Sequence, residues 1–140
     1  MYYIISFLFI FNVQASELQT LKLRDGSVIN YNSKKLEVVD ALKSLGQNFF
    51  LVEDKITKTR AVLLTYFSIR NFQGKETAEK WCEGELEGNF CRIKNEHGNV
   101  VSVMSPSLNN GVATIHSISY QGNKNQTIEA IITNVKWINK

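Results

Sequence analysis

The chain is 140 residues long, 44% apolar and 21% charged, with one proline and two cysteines, a composition that fits one globular domain, since two would each fall near the size where cores become marginal. The apolar share is too high and the net charge of +3 too small for a disordered chain. With 16 Lys and Arg set against 13 Asp and Glu and no run of five like charges, nucleic acid is not an expected partner.

Every charged side chain lies beyond residue 16. Before that point Tyr3 to Phe11 form a short apolar run, and Val13-Gln14-Ala15 places small residues where a signal peptidase reads them. The pattern predicts a signal peptide over 1–15, cleaved after Ala15, and one domain over 16–140 in a periplasmic or secreted setting. The run is shorter than the roughly 20 apolar residues a membrane-spanning helix requires, so no stable membrane insertion is expected after processing. A Lys or Arg near Met1 is missing from the pattern, and a buried N-terminal strand or helix is the competing reading.

In chain order, Leu18 to Leu23 and Val28 to Tyr31 flank the turn Arg24-Asp25-Gly26-Ser27 and read as an opening hairpin. Asn32 and Ser33 then offer caps for a helix over Ser33 to Leu45, with Leu36, Val39 and Leu42 at helical spacing and Gly46 as its stop. Asn48 to Glu53 and Ala61 to Arg70 read as adjacent antiparallel strands. In the second of these both faces are apolar, as in a central strand. Lys75 to about Glu85 forms a second, shorter helix, with Ala78, Trp81 and Cys82 on one side. Phe90 to Asn95 and Val100 to Met104 make a hairpin, Ser105 to Gly111 a loop, and Val112 to Tyr120 with Gln126 to Ile138 a final long hairpin. The sum is an α+β domain: an antiparallel sheet of six to eight strands with two helices packed on it.

Cys82 and Cys91 enclose a short segment with two glycines, and in an oxidising compartment they are expected to pair. Closing that ring stabilises by roughly 3 kcal/mol in the loop-entropy model. Two free buried thiols are the alternative. No metal or other cofactor is expected, because two cysteines and two distant histidines lack ligand spacing.

Catalytic groups are sparse. His97 falls in a turn, and His116 falls in a strand beside Ser117, where neighbouring side chains leave opposite faces and cannot react together. His116 is therefore expected to be a half-exposed strand residue. No phosphate-binding glycine loop, HExxH helix or GxSxG elbow is present. Glu76, Glu79 and Glu83 line one face of the second helix, either as a solvated face beside Lys75 and Lys80 or as an acidic patch for a basic protein. The loop carrying Pro106, Leu108 and Asn109 combines one rigid position with an apolar tip, so it reads either as a plain surface connection or as a partner-binding loop. Trp81 and Trp137 fit core anchors or contact residues. Asn125-Gln126-Thr127 is a formal glycosylation acceptor.

The expected function is that of an exported, non-catalytic binding protein acting through surface contact with another extracytoplasmic protein, in the manner of an inhibitor or immunity protein. Pro106, Leu108, Asn109, Glu76, Glu79 and Glu83 are its expected contact residues. The alternative is a carrier or sensor holding a small apolar ligand between sheet and helix. A remoter one is a small hydrolase centred on His116, which requires a hydroxyl or carboxylate brought within about 3 Å.

Overall fold

The structure, a computed structural model, describes residues 17–41, 48–69, 74–106 and 111–138, with the backbone alone at 67–69 and 74–77. The expected signal peptide, and with it the Ala15 cleavage point, lies outside the described residues, as do Leu108 and Asn109. Strands β1 (Leu18–Lys22) and β2 (Val28–Asn32) form a two-stranded sheet. The main sheet has seven strands: β3 (Leu36–Asp40), β4 (Phe49–Asp54), β5 (Arg60–Ile69), β6 (Glu85–Glu87), β7 (Phe90–Asn95), β8 (Gly98–Met104) and β9 (Val112–Tyr120). Their spatial order is β3-β4-β5-β9-β8-β7-β6, with every neighbour antiparallel. Two helices, α1 (Gly74–Trp81) and α2 (Gln126–Thr133), complete an α+β domain of the expected class.

The period-2 alternation assigns the two faces of the main sheet. Leu36, Phe50, Val52, Ala61, Leu63, Ile118, Val101 and Val103 face inward and are buried against the β1–β2 hairpin and α2. The opposite face is covered in part. At one end Met104, Ala113 and Ile115 pack under Ala78 and Trp81 of α1, whereas Val39 and Leu51 remain 48% and 47% exposed.

The second expected helix, α1, ends at Trp81, short of the expected Glu85, which opens β6, and two expected elements take another form. The helix over Ser33 to Leu45 is replaced by β3, and residues 42–47 lie outside the described residues. Asn32 does not cap a helix. Its side chain accepts from the Lys34 N–H at 2.9 Å, and its carbonyl accepts from Lys35 N–H at 3.0 Å, which closes a turn and delivers Leu36 into pairing with β4. The Val38-Val39 pair then gains more from the pleated sheet than from a helix, because β-branched side chains fit the pleat.

The second difference is α2, which occupies the start of what reads as the last strand. Asn125 has extended backbone, and its side chain accepts from Ile128 N–H at 3.0 Å, the geometry of an N-cap. Ile128, Ile131 and Ile132 then fall at helical spacing and are buried, each contributing about 1.5–3 kcal/mol of apolar burial. After the helix, residues 135–138 cross the open end of the small sheet as a strap. Lys136 and Val28 exchange backbone hydrogen bonds at 3.1 and 2.9 Å.

Candidate functional site

The disulfide is formed. Cys82, just beyond α1, is bonded to Cys91 of β7 with the Cα atoms 5.7 Å apart. It ties the helix to the sheet edge and fixes one wall of a cleft of about 560 Å³ lined by Glu79, Leu86, Gly88, Asn89, Met104, Ser105 and Pro106. The floor is set by main-chain clamps. Met104 N–H donates to the Asn89 carbonyl at 2.9 Å, the Asn89 side-chain amide donates to the Met104 carbonyl at 2.5 Å, and Ser105 N–H donates to the Thr114 carbonyl at 2.8 Å. These bonds aim exposed Pro106 outward beside Glu79.

Glu79 and Pro106, distant in sequence, therefore line one cleft. Glu83 is exposed beyond the helix end, Glu76 belongs to α1 through its backbone, and Leu108 and Asn109 continue the chain past Pro106 outside the described residues. Trp81 packs, partly buried, against the Ala78, Met104 and Ile115 cluster, which gives it a core role.

A second assembly surrounds His116. His116, expected half-exposed, is fully buried because β9 is central in the sheet and its inward face lies under the small hairpin and the C-terminal strap. Its Nε2 is 3.0 Å from Ser27 Oγ and 3.7 Å from Asp25 Oδ2, its Nδ1 is 3.0 Å from Thr65 Oγ1, and its ring stacks on Trp137. Ser27 Oγ in turn donates to Asp25 Oδ1. Gly26, at φ +86°, makes the turn that presents both side chains. A Cβ there would lie 2.3 Å from Ile138 Cδ1, so any other residue would also have to push that side chain of the strap aside.

Because the Ser27 hydroxyl proton is committed to Asp25, its lone pair faces His116. The imidazole then carries its proton on Nε2, and Nδ1 accepts from Thr65. The result is a one-way chain from Thr65 through His116 and Ser27 to Asp25. An activated serine needs the opposite polarity, a bare imidazole nitrogen facing the hydroxyl. Burial pushes the His116 pKa down from 6.5 to about 4, against a weaker upward pull from Asp25. The neutral ring thus cements four segments together: β9, β5, the β1–β2 turn and the strap. The hydroxyls that the hydrolase reading requires are within reach, but both Ser27 and Thr65 are buried.

A third cluster anchors α2. Glu129 receives both arms of Arg92 and the Tyr120 hydroxyl, while Tyr120 accepts from Asn125 N–H at 2.9 Å. Burial alone would raise the Glu129 pKa, but these donors hold it below the ordinary carboxylate value. Burial likewise opposes a low pKa at Asp54, which is overcome by hydrogen bonds from Asn125, Ile56 and Thr57. Asn125 is thus a helix cap and an Asp54 ligand rather than part of the hairpin turn expected there. His97, by contrast, is the exposed turn residue its position predicts. Among the described residues, no three His, Cys, Asp or Glu side chains converge as a metal site.

No protein family profile and no curated protein sequence matches the chain. Its fold is similar to that of a protein from Bacteroides thetaiotaomicron VPI-5482, solved at 1.50 Å, with a TM-score of 0.51 and 9% identity over 89% of this chain. The aligned part spans 50% of that protein. At that identity the likeness extends to the fold alone.

Proposed function

We propose that this is an exported, disulfide-bonded binding protein that acts by surface contact with another extracytoplasmic protein, as an inhibitor or immunity-type antagonist of an enzyme or toxin. The observation that carries the reading is the cleft that Glu79 and Pro106 line together with Leu86 and Met104, beside the Cys82–Cys91 bond. Its apolar lining suits one aliphatic or aromatic side chain of a partner, and Glu76, Glu79 and Glu83 favour a basic surround. In this reading Leu108 and Asn109 extend the contact beyond Pro106. The disulfide is consistent with an oxidising compartment, and among the described residues no helix is long and apolar enough to cross a membrane.

The test has two parts. The protein isolated from its native source should begin at Ser16, with both sulfurs bonded. As bait, it should hold one specific extracytoplasmic protein, and Glu79→Lys with Pro106→Asp should weaken that complex at least about tenfold without altering the circular dichroism spectrum. A complex indifferent to both substitutions rejects this surface. Met1 retained on a protein with free thiols rejects export.

A further inference from the structure

At the opposite edge of the main sheet from this cleft, β3 has a hydrogen-bonding side that no described residue occupies. The register settles which groups face outward. Ala41 N–H donates to the Phe49 carbonyl and Lys55 N–H to the Lys35 carbonyl, so the odd-numbered residues of this segment pair with β4. The even-numbered residues, among them Leu36 and Val38, turn their backbone N–H and C=O away from the sheet.

A cleft lies on each side of this edge. On the outer face, Glu37, Val39, Leu51, Val52, Glu53 and Arg60 line a largely apolar cleft of about 310 Å³. On the inner side, a cleft of about 350 Å³ lies between β2, the start of β3 and α2, with Tyr31, Lys35, Leu36 and Gln126 in its walls. Charge distinguishes the two. Glu37 stands directly across from Glu53, and Arg60 is bonded to Glu53 at 3.0 Å, leaving Glu37 with no cation among the described residues. Lys35, exposed at the start of β3, borders the inner cleft, likewise with no anion among them.

We propose that β3 receives an extended segment of a partner protein as an eighth strand of the main sheet, with a Lys or Arg of that segment over Val39 and Leu51 toward Glu37, and an adjacent Asp or Glu toward Lys35. Backbone bonds to Leu36 and Val38 supply affinity that any sequence could use, and the alternate side chains entering the two clefts supply the choice. The same charges discourage indiscriminate pairing, because a strand presenting an acid to Glu37 or a base to Lys35 is repelled. This edge lies across the sheet from Glu79 and Pro106, so it stands or falls separately from the contact assigned to that cleft.

The probe is a blocked heptapeptide with Lys and Val at alternate positions and Glu and Thr between them, titrated into the oxidised protein and followed by amide hydrogen exchange. The Leu36 and Val38 amides should slow about tenfold or more on saturation. N-methylation of the peptide on its pairing side should abolish the effect, and Glu37→Lys should weaken binding roughly fivefold. Val38→Pro removes one outward donor without touching the β4 pairing, and should weaken it by a similar factor. Failure of the peptide to bind at millimolar concentration overturns the proposal, as does protection confined to residues near Pro106. Concentration-dependent dimerisation that protects the same amides assigns the edge to a second copy, and also overturns it.

Discussion

His116 and Trp137 lie ring against ring, with centroids 5.0 Å apart and planes inclined by 12°. The contact joins the central strand β9 to the strap that follows α2, and the two hydroxyls beside the imidazole join the same ring to β5 and the β1–β2 turn. One neutral side chain thereby closes four segments onto each other. The Asp25 carboxylate, 3.7 Å from Nε2, is the charged group that faces it.

That arrangement makes stability fall with acid. The folded protein holds His116 neutral down to about pH 4, whereas the unfolded chain takes up the proton near 6.5. Between those values the unfolded state binds more protons, so stability present above pH 6.5 is lost progressively as pH falls toward 4, by ~3 kcal/mol. Urea unfolding at pH 7 and pH 4 measures the loss. His116→Gln should be less stable at pH 7 yet lose less on acidification, the residual loss belonging to Asp54 and Glu129. An unchanged pH slope in that variant would remove His116 from this role.

Glu129 is 4% exposed and shared by Arg92 and Tyr120, so deleting Arg92 leaves a buried carboxylate with the Tyr120 hydroxyl alone, and deleting Glu129 leaves the half-buried Arg92 without its anion. Glu129→Ala should cost about 3 kcal/mol or more, and Arg92→Ala a comparable amount. Arg92→Ala with Glu129→Ala should cost clearly less than the sum, because both charges leave together. Chemical denaturation of the three variants closes the cycle, and simple additivity would contradict the coupling.

Reduction of Cys82–Cys91 frees the end of α1 from β7. The expected loss is roughly 3 kcal/mol of global stability. Proteolysis should then cut first near residues 82–90, since the helix end and the short β6 strand keep few other ties. A protein whose melting temperature is indifferent to reductant would show that the sheet edge holds without the bond.

The legible parts of the fold were those where one period dominates. β5, β9 and the β7–β8 hairpin declare themselves by alternation, and the cysteine spacing declares the disulfide. β3 is ambiguous in the sequence because Leu36 and Val39 fit helical spacing as well as Leu36 and Val38 fit a strand, and only the turn made by Asn32 separates the two. In α2 the β-branched isoleucines masked a cap at Asn125 followed by apolar residues at helical spacing. The cleft residues Glu79 and Pro106 stand out by local composition, but their place in one cleft with Met104 is a product of the sheet. His116, Ser27, Thr65 and Trp137 carried weaker signals. A histidine within Ile-His-Ser-Ile and a serine closing an Asp-Gly turn are each ordinary, and a separation of 89 residues between Ser27 and His116 hides their relation.

Asn125 links α2 to the end of β4, because one side chain caps the helix through Oδ1 and binds Asp54 through Nδ2 at 2.9 Å. Asn125→Ala should cost about 2 kcal/mol, roughly half from the lost cap and half from a buried carboxylate deprived of a donor. Asn125→Asp separates the two roles. It retains the cap acceptor but sets a second carboxylate against Asp54, so at pH 7 it should be less stable than the alanine variant. Mild acid should then recover part of that difference, since one proton shared between the two carboxyls relieves the repulsion. Equal stability of the Asp and Ala variants across pH would show that Asp54 does not depend on this amide.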